Sequence, residues 1–204
     1  MKRFISFFLL SVLFLLPTVA QENSNSRQAR QMFERVYSQM FGDVGASFHY
    51  KISILGIYST EGDAWYKGKM KKEVSKKNIK WNDGVIKYEY LIKDDVIKLH
   101  DPNDKKDKLK QKFNFTPDDY TYSVKKEDNG DYRLFLKLKP GHKGMKEIHV
   151  FLDNKTRHPK RLRIKVSFFW ANLYLTNYNP GITDESIFAF PKEKYKHCKV
   201  IDER

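Results

Sequence analysis

The chain carries a single cysteine, Cys198, in 204 residues. One thiol cannot close a disulfide within the chain, so the fold must rest on packing and hydrogen bonds. Long apolar runs are also missing after residue 16, and no later stretch approaches the ~20 residues of a transmembrane helix. Catalytic and metal signatures are scarce. The six histidines (49, 100, 142, 149, 158 and 197) stand in neither an HExxH nor a CxxC context. Asp101 to Asp104 fails as a calcium loop, because Lys105 and Lys106 occupy positions that need Asp or Asn and then Gly. Ser47 and Ser53 lack a GxSxG-type turn. The paired acids Asp94-Asp95 and Asp118-Asp119 fall at turns or helix starts, where capping accounts for them. No catalytic residue, metal ligand or cofactor is expected, and the chain reads as a binding protein rather than an enzyme.

What is present begins with a leader. Lys2 and Arg3 precede an apolar or small-residue run from Phe4 to Leu16, which Pro17 breaks. Thr18-Val19-Ala20 supplies small residues before Gln21, so a secretory signal peptide cleaved after Ala20 is expected, with export to the periplasm. Net charge is +14, from 39 Lys and Arg against 25 Asp and Glu. A secreted chain this basic can meet acidic partners or an anionic membrane surface in transient contact. Aromatics make up 15% of the chain. Aromatic and basic residues together can serve single-stranded nucleic acid, but export disfavours that partner, and none is expected. Lysines that alternate with apolar residues, as in VIKYEYLIK and RLRIKVSF, read chiefly as the wet face of strands.

The periodicity divides the chain in two. Residues 21–27 are a polar tether, and residues 28–204 form one domain. Ala29, Met32, Phe33, Val36, Tyr37, Met40 and Phe41 make one apolar stripe on a helix, with Ser26 as the expected N-cap and Gly42 as the stop. From residue 46 the period becomes two. Phe48, Tyr50, Ile52 and Ile54 alternate with polar neighbours, and Gly62 opens a second strand. Asp83-Gly84 and Asn129-Gly130 mark hairpin turns. Residues 101–112 read as a charged loop or short helix. About ten strands joined by short turns, behind one long helix, predict a single antiparallel sheet or barrel. His49 and His149 are expected to face solvent. His197 and Cys198, read as strand neighbours, would point to opposite faces and make poor partners. Cys198 is then a half-buried packing residue.

A further resemblance rests on ordered pieces. The helix leads into Ala46-Ser47-Phe48, then Gly62-Asp63-Ala64-Trp65, then WNDGVIKYEYLIKDDVIKL. RLFLKLKP, EIHVFLD and RLRIKVSF follow, and the chain closes on Phe188-Ala189-Phe190-Pro191 and Val200-Ile201-Asp202-Glu203-Arg204. Over residues 28–204 this order resembles the periplasmic carriers of outer-membrane lipoproteins (LolA-like), in the form found in Bacteroidetes-type bacteria. The resemblance implies a mainly β (α+β) fold: an unclosed antiparallel half-barrel with a helical lid over an apolar cavity. It implies a monomeric carrier that shields lipoprotein acyl chains between the inner and outer membranes. The implied partners are acylated lipoproteins, an inner-membrane ABC-type releasing complex and an outer-membrane acceptor. A binding protein for another lipid or hydrophobic metabolite, and a sensor or structural module with an ordinary packed core, remain open.

Alternation assigns Phe48, Tyr50, Ile52, Ile54, Tyr66, Met70, Trp81, Ile86, Tyr88 and Tyr90 to the cavity side. Phe33, Val36, Tyr37 and Met40 face them from the lid. One departure from the resembling family stands out. Its members carry an Arg-Pro pair after the G-x-x-W strand that ties the lid shut, whereas this chain reads KGKMKKEVSKKNIKW there. Lys72 is the candidate substitute, with a poorer multidentate contact.

Overall fold

A computed structural model describes residues 23–56, 58–102, 115–166 and 168–204. The expected leader and most of the charged stretch at 101–112 lie outside the described residues. The helix α1 spans Ser24–Phe41. Its N-cap is Asn23 rather than the expected Ser26: the Asn23 side chain accepts a hydrogen bond from the Ser26 backbone N–H at 2.7 Å. Asn caps well because its short side chain reaches the free amides of the first turn. The expected stop holds. Gly42 donates to the Ser38 carbonyl at 2.9 Å, and a Cβ there would fall 2.4 Å from that same oxygen. Ala29, Phe33, Val36 and Met40 are the buried stripe.

Among the described residues twelve strands follow, against the expected ten or so. They are β1 (Ala46–Ile54), β2 (Tyr58–Lys67), β3 (Met70–Ser75), β4 (Asn78–Asn82), β5 (Lys87–Leu91) and β6 (Val96–His100). The second group is β7 (Tyr120–Lys126), β8 (Tyr132–Leu138), β9 (Glu147–Leu152), β10 (Pro159–Val166), β11 (Phe169–Pro180) and β12 (Lys199–Asp202). They form one open sheet in the order β12-β6-β5-β4-β3-β2-β1-β11-β10-β9-β8-β7. Neighbours are antiparallel except β12, which runs parallel to β6, so the sheet is mixed and not wholly antiparallel. The hairpin turns form where Gly84 and Gly130 adopt φ of 92° and 85°.

The sheet bows. Helix α1 leans chiefly on β7 and also touches β8, β1 and β2, while β9, β10 and β11 pass between those contacts. The unclosed half-barrel with a helix across its mouth is the architecture observed. On the face toward α1, Phe48 lies opposite Ala64 and Tyr50 opposite Gly62. Leu134, Leu136, Ile148, Val150, Leu152 and Leu175 complete the main core with the helix stripe.

A second core lies on the opposite face. Trp81 and Ile97 are buried there with Tyr195 and Cys198, flanked by Ile79, Tyr88, Tyr90, Leu99 and Phe190. The C-terminal segment supplies the cover through two short 3₁₀ turns, Glu185–Phe188 and Lys192–Tyr195. Tyr88 stacks on Phe190 at 4.4 Å, and Trp81 meets Phe190 and Tyr195 edge-on at 5.4 and 5.5 Å.

Along β8–β11 the outer face is covered by its own side chains. Arg161 sits 3.8 Å from the Phe151 ring centre and Arg163 4.4 Å from that of Trp170. His149 lies between Phe135 and Trp170 at 4.7 and 4.9 Å and is buried, not solvent-facing as expected. Its neighbours are large aromatics on a surface the alternation marked as wet. Leu136→Ala, in the main core, is expected to cost about 2–5 kcal/mol and Trp81→Ala about 3–5 kcal/mol in denaturant titration. A single transition, coincident by fluorescence and circular dichroism in both variants, would show that the two cores belong to one cooperative unit.

Candidate functional site

Between α1 and the bowed sheet lies a cleft of about 810 Å³. Phe33, Val36, Tyr37, Met40 and Phe41 line it from the helix. Phe48, Tyr50, Ile52, Tyr58, Thr60 and Tyr66 line it from β1 and β2, and Ile148, Val150, Leu162, Ile164 and Leu173 from β9, β10 and β11. Phe115 and Met145 also line it. The volume falls within the roughly 300–1,000 Å³ of ligand-binding cavities.

The helix is held at its two ends. Near its start, Asn25 behaves as a piece of strand. Its side-chain amide donates to the Val124 carbonyl at 2.8 Å and its oxygen accepts from the Val124 N–H at 2.9 Å. The outermost strand β7 thereby gains a partner for otherwise open backbone groups. Arg30 pairs with Glu34 at 2.8 Å and with Asp118, and its guanidinium lies over the Tyr122 ring. At the other end, the Gly68 N–H donates to the Gly42 carbonyl at 3.0 Å. Lys72 does not take part. It lies over the Trp65 ring on the outer face, because an even shift along β3 from a cleft-facing residue is needed to reach the helix and Lys72 is one off. An aromatic chain links helix and sheet. Tyr37 meets Phe41 at 5.1 Å, Phe41 meets Tyr66 at 5.5 Å, and Tyr66 stacks on Phe48 at 5.7 Å.

Beyond Tyr66 the cleft wall turns polar. Lys71, Glu73, Ser75, Lys77, Asn78 and Lys80 line it from β3, β4 and the turn between them. The Tyr66 hydroxyl donates to Glu73 at 2.7 Å. Burial, and then the Glu73 carboxylate, push the Tyr66 phenol well above its ordinary value. The network continues on the same face. Asn78 donates to Glu89 at 2.6 Å, Lys80 lies 3.5 Å from Glu89, and His100 lies 3.3 Å from both Glu89 and Glu203. Burial pushes Glu89 up, but Lys80, the Asn78 hydrogen bond, Lys87 and His100 outweigh it and hold the carboxyl below its ordinary 4.5.

The structure brings Phe48, Tyr50, Ile52 and Tyr66 from the strands and Phe33, Val36, Tyr37 and Met40 from the helix together around the cleft. It places six assigned residues elsewhere. Trp81, Tyr88 and Tyr90 belong to the second core on the opposite face. Ile86 lies in the turn before β5, and Met70 opposes Lys67 at the start of β3. Ile54 ends β1 opposite Tyr58, outside the lining. Alternation correctly grouped Trp81 with Tyr88, which are direct partners. It could not say which side of the sheet that group faces. Leu162, Ile164, Ile148 and Val150 were not assigned, although LRI and IHV carry the same alternation. Phe115 had no periodic signal. His197 and Cys198 also depart from expectation. They lie in a turn ahead of β12, so the His197 Nε2 and Cys198 Sγ come within 3.5 Å.

No protein-family model matches the chain, and no curated protein matches it. Solved structures do. An uncharacterized conserved protein from Thermus thermophilus superposes with a TM-score of 0.54 at 10% identity, over 86% of this chain and 99% of that one. The chain therefore shares that fold. Lipoprotein LppX from Mycobacterium tuberculosis superposes with a TM-score of 0.45 at 12% identity, over 78% of this chain and 99% of that one. A LolA superfamily protein from Nitrosomonas europaea gives 0.39 at 10% identity, over 79% and 97%.

Two outcomes follow from the site. An ion has no partner among the apolar lining, so Ile52→Lys and Met40→Lys should each weaken uptake of an apolar fluorophore by about tenfold or more. Trp81→Phe, on the other face, should leave uptake unchanged. Glu89 has a folded pKa below its unfolded one, so its contribution to stability is complete above about 4.5 and fades as pH falls through the folded value. Glu89→Gln should flatten the acid limb of a melting-temperature profile taken from about pH 7 to about pH 3.

Proposed function

We propose that the chain is a periplasmic carrier that takes lipoprotein acyl chains into the cleft under α1 and conveys them from the inner to the outer membrane. The observation that carries this reading is the cleft itself: about 810 Å³ beneath a helix held at its ends, walled by aliphatic, aromatic and methionine side chains except at its polar margin on β3 and β4. Each exposed CH₂ of an acyl chain costs about 0.8 kcal/mol in water, so a multiply acylated protein needs such cover to cross an aqueous space. Methionine and aromatic walls bind by area and adapt to chain length, which favours capture without tight specificity. The resemblance of residues 28–204 to lipoprotein carriers supports the same reading. On it, an inner-membrane releasing complex loads the carrier and an outer-membrane acceptor empties it. Surface lysines make the transient membrane or partner contact.

A second reading has one specific observation behind it. Lys71, Glu73, Asn78 and Lys80 line the same cleft as Ile52 and Tyr66, a polarity split suited to a free amphiphile with a charged headgroup. Native mass spectrometry of protein purified from its own cells separates the two. Co-purified triacylated lipoprotein is the outcome expected of the carrier. A free lipid in its place supports the second reading. Depletion in cells gives the functional test: lipoproteins should accumulate at the inner membrane, and their undisturbed sorting would end the carrier reading.

A further inference from the structure

Three different ligating groups converge at the far edge of the sheet from the cleft. Among the described residues, Asp95, His197 and Cys198 are the one set of three or more His, Cys, Asp or Glu whose ligand atoms all lie within 4.8 Å of each other. Cys198 Sγ lies 3.2 Å from Asp95 Oδ1 and 3.5 Å from His197 Nε2, and that nitrogen lies 3.7 Å from the same Asp95 oxygen. The three separations form a nearly equilateral triangle of donor atoms. Zinc bonds of about 2.3 Å to sulfur, ~2.0–2.1 Å to nitrogen and ~2.0–2.2 Å to oxygen, spread tetrahedrally, place their donors about 3.4–3.6 Å apart.

A second use of these residue types is a Cys-His-Asp relay, and the geometry argues against it. In a relay the imidazole turns one nitrogen to the nucleophile and the other to the carboxylate. Here the single atom Nε2 of His197 faces both the sulfur and the carboxylate oxygen. Three donor atoms of different kinds, each within 3.7 Å of the other two, have the spacing of ligands around one ion.

The chain builds the triangle from two distant places. Asp95 occupies the β5–β6 turn with φ of 53°, and Cys198 lies 103 residues further on, next to His197 at the end of the C-terminal cover. Cys198 is held by its N–H donating to the Tyr195 carbonyl at 3.1 Å. The Tyr90 hydroxyl donates to Asp95 Oδ1 at 3.0 Å and orients that carboxylate, as hydrogen bonds from outside a metal site orient its ligands. Cys198 is buried, whereas Asp95 and His197 are exposed, so an ion has a path in and a fourth position open to water.

We infer that Asp95, His197 and Cys198 form a site for a borderline divalent ion, zinc foremost, that clips the C-terminal segment to the β5–β6 turn. Thiolate, imidazole and carboxylate together suit zinc, and not magnesium or calcium, which take oxygen alone. On binding, the thiol gives up its proton to solvent and the sulfur donates its electron pair to the ion, with no change of oxidation state. Closing a long loop in this way stabilises the edge where β12 joins β6.

The test uses untagged chain stripped with a chelator and titrated with Co²⁺ as a spectroscopic stand-in, then with Zn²⁺. Expected are one ion per chain, a thiolate-to-cobalt charge-transfer band displaced by equimolar zinc, and a melting temperature raised by zinc. Asp95→Asn and His197→Gln should each weaken binding by about tenfold or more while the circular dichroism of the metal-free chain is unchanged. Cys198→Ser should abolish the band. Because Cys198 packs in the second core, the two exposed variants decide the matter if that protein misfolds. Absence of the band in the native chain, or unchanged affinity in both Asp95→Asn and His197→Gln, overturns the site.

Discussion

Among the described residues, twelve strands present two broad faces to water, and the one long helix, α1, can cover only part of one. A layered fold is stable when each apolar face is buried against something. The chain meets this by changing which face is apolar. From β7 through β11 and on to β1 and β2, the apolar residues face the helix. From β3 to β6 they face the other way, as Trp81, Tyr88, Tyr90 and Ile97 do, and the C-terminal turns cover them. The switch falls between β2 and β3, where Tyr66 on the helix side meets Glu73.

The high positive charge belongs to the same problem. Part of the outer face has neither helix nor C-terminal segment over it, yet it carries Phe135, Phe151 and Trp170. Arg133, Arg161 and Arg163 lie over those rings. A flat, weakly hydrated guanidinium can cover an aromatic face and still meet water. On the inner face of β4–β6, lysines pair with Glu89 and Glu203. A composition that in isolation suggests a polyanion ligand thus has a structural use in a sheet short of cover.

How much of this was legible depended on which periodicity carried the message. The helix was readable because Phe33, Val36 and Met40 at helical spacing define one direction only, and Gly42 punctuates it. Strand alternation divides residues into two sets but leaves open which set faces inward. In β1 the choice of Phe48, Tyr50 and Ile52 agreed with the cleft. In β4 and β5 the same logic grouped Trp81 with Tyr88 and put the pair on the wrong side. The deciding partner, Phe190, lies about a hundred residues away in a segment with no regular period. His197 and Cys198 misled for a related reason. Strand geometry separates neighbours, and a turn in front of β12 brings them together.

The cleft follows from where the helix is held. Asn25 and Arg30 fix it beside β7, and the Gly42–Gly68 hydrogen bond fixes it beside β2. Between those supports the sheet bows away, so Leu162, Ile164 and Leu173 are only partly buried where they line the cleft. A well-packed interior has few voids larger than a water molecule. An apolar space of this size under a helix is therefore a departure from ordinary packing, and it lies where two attachments hold the cover off the sheet. Its polar margin at Lys71, Glu73 and Lys80 has the same origin. Those strands commit their apolar side to the C-terminal segment, and the face they leave to the cleft is the charged one.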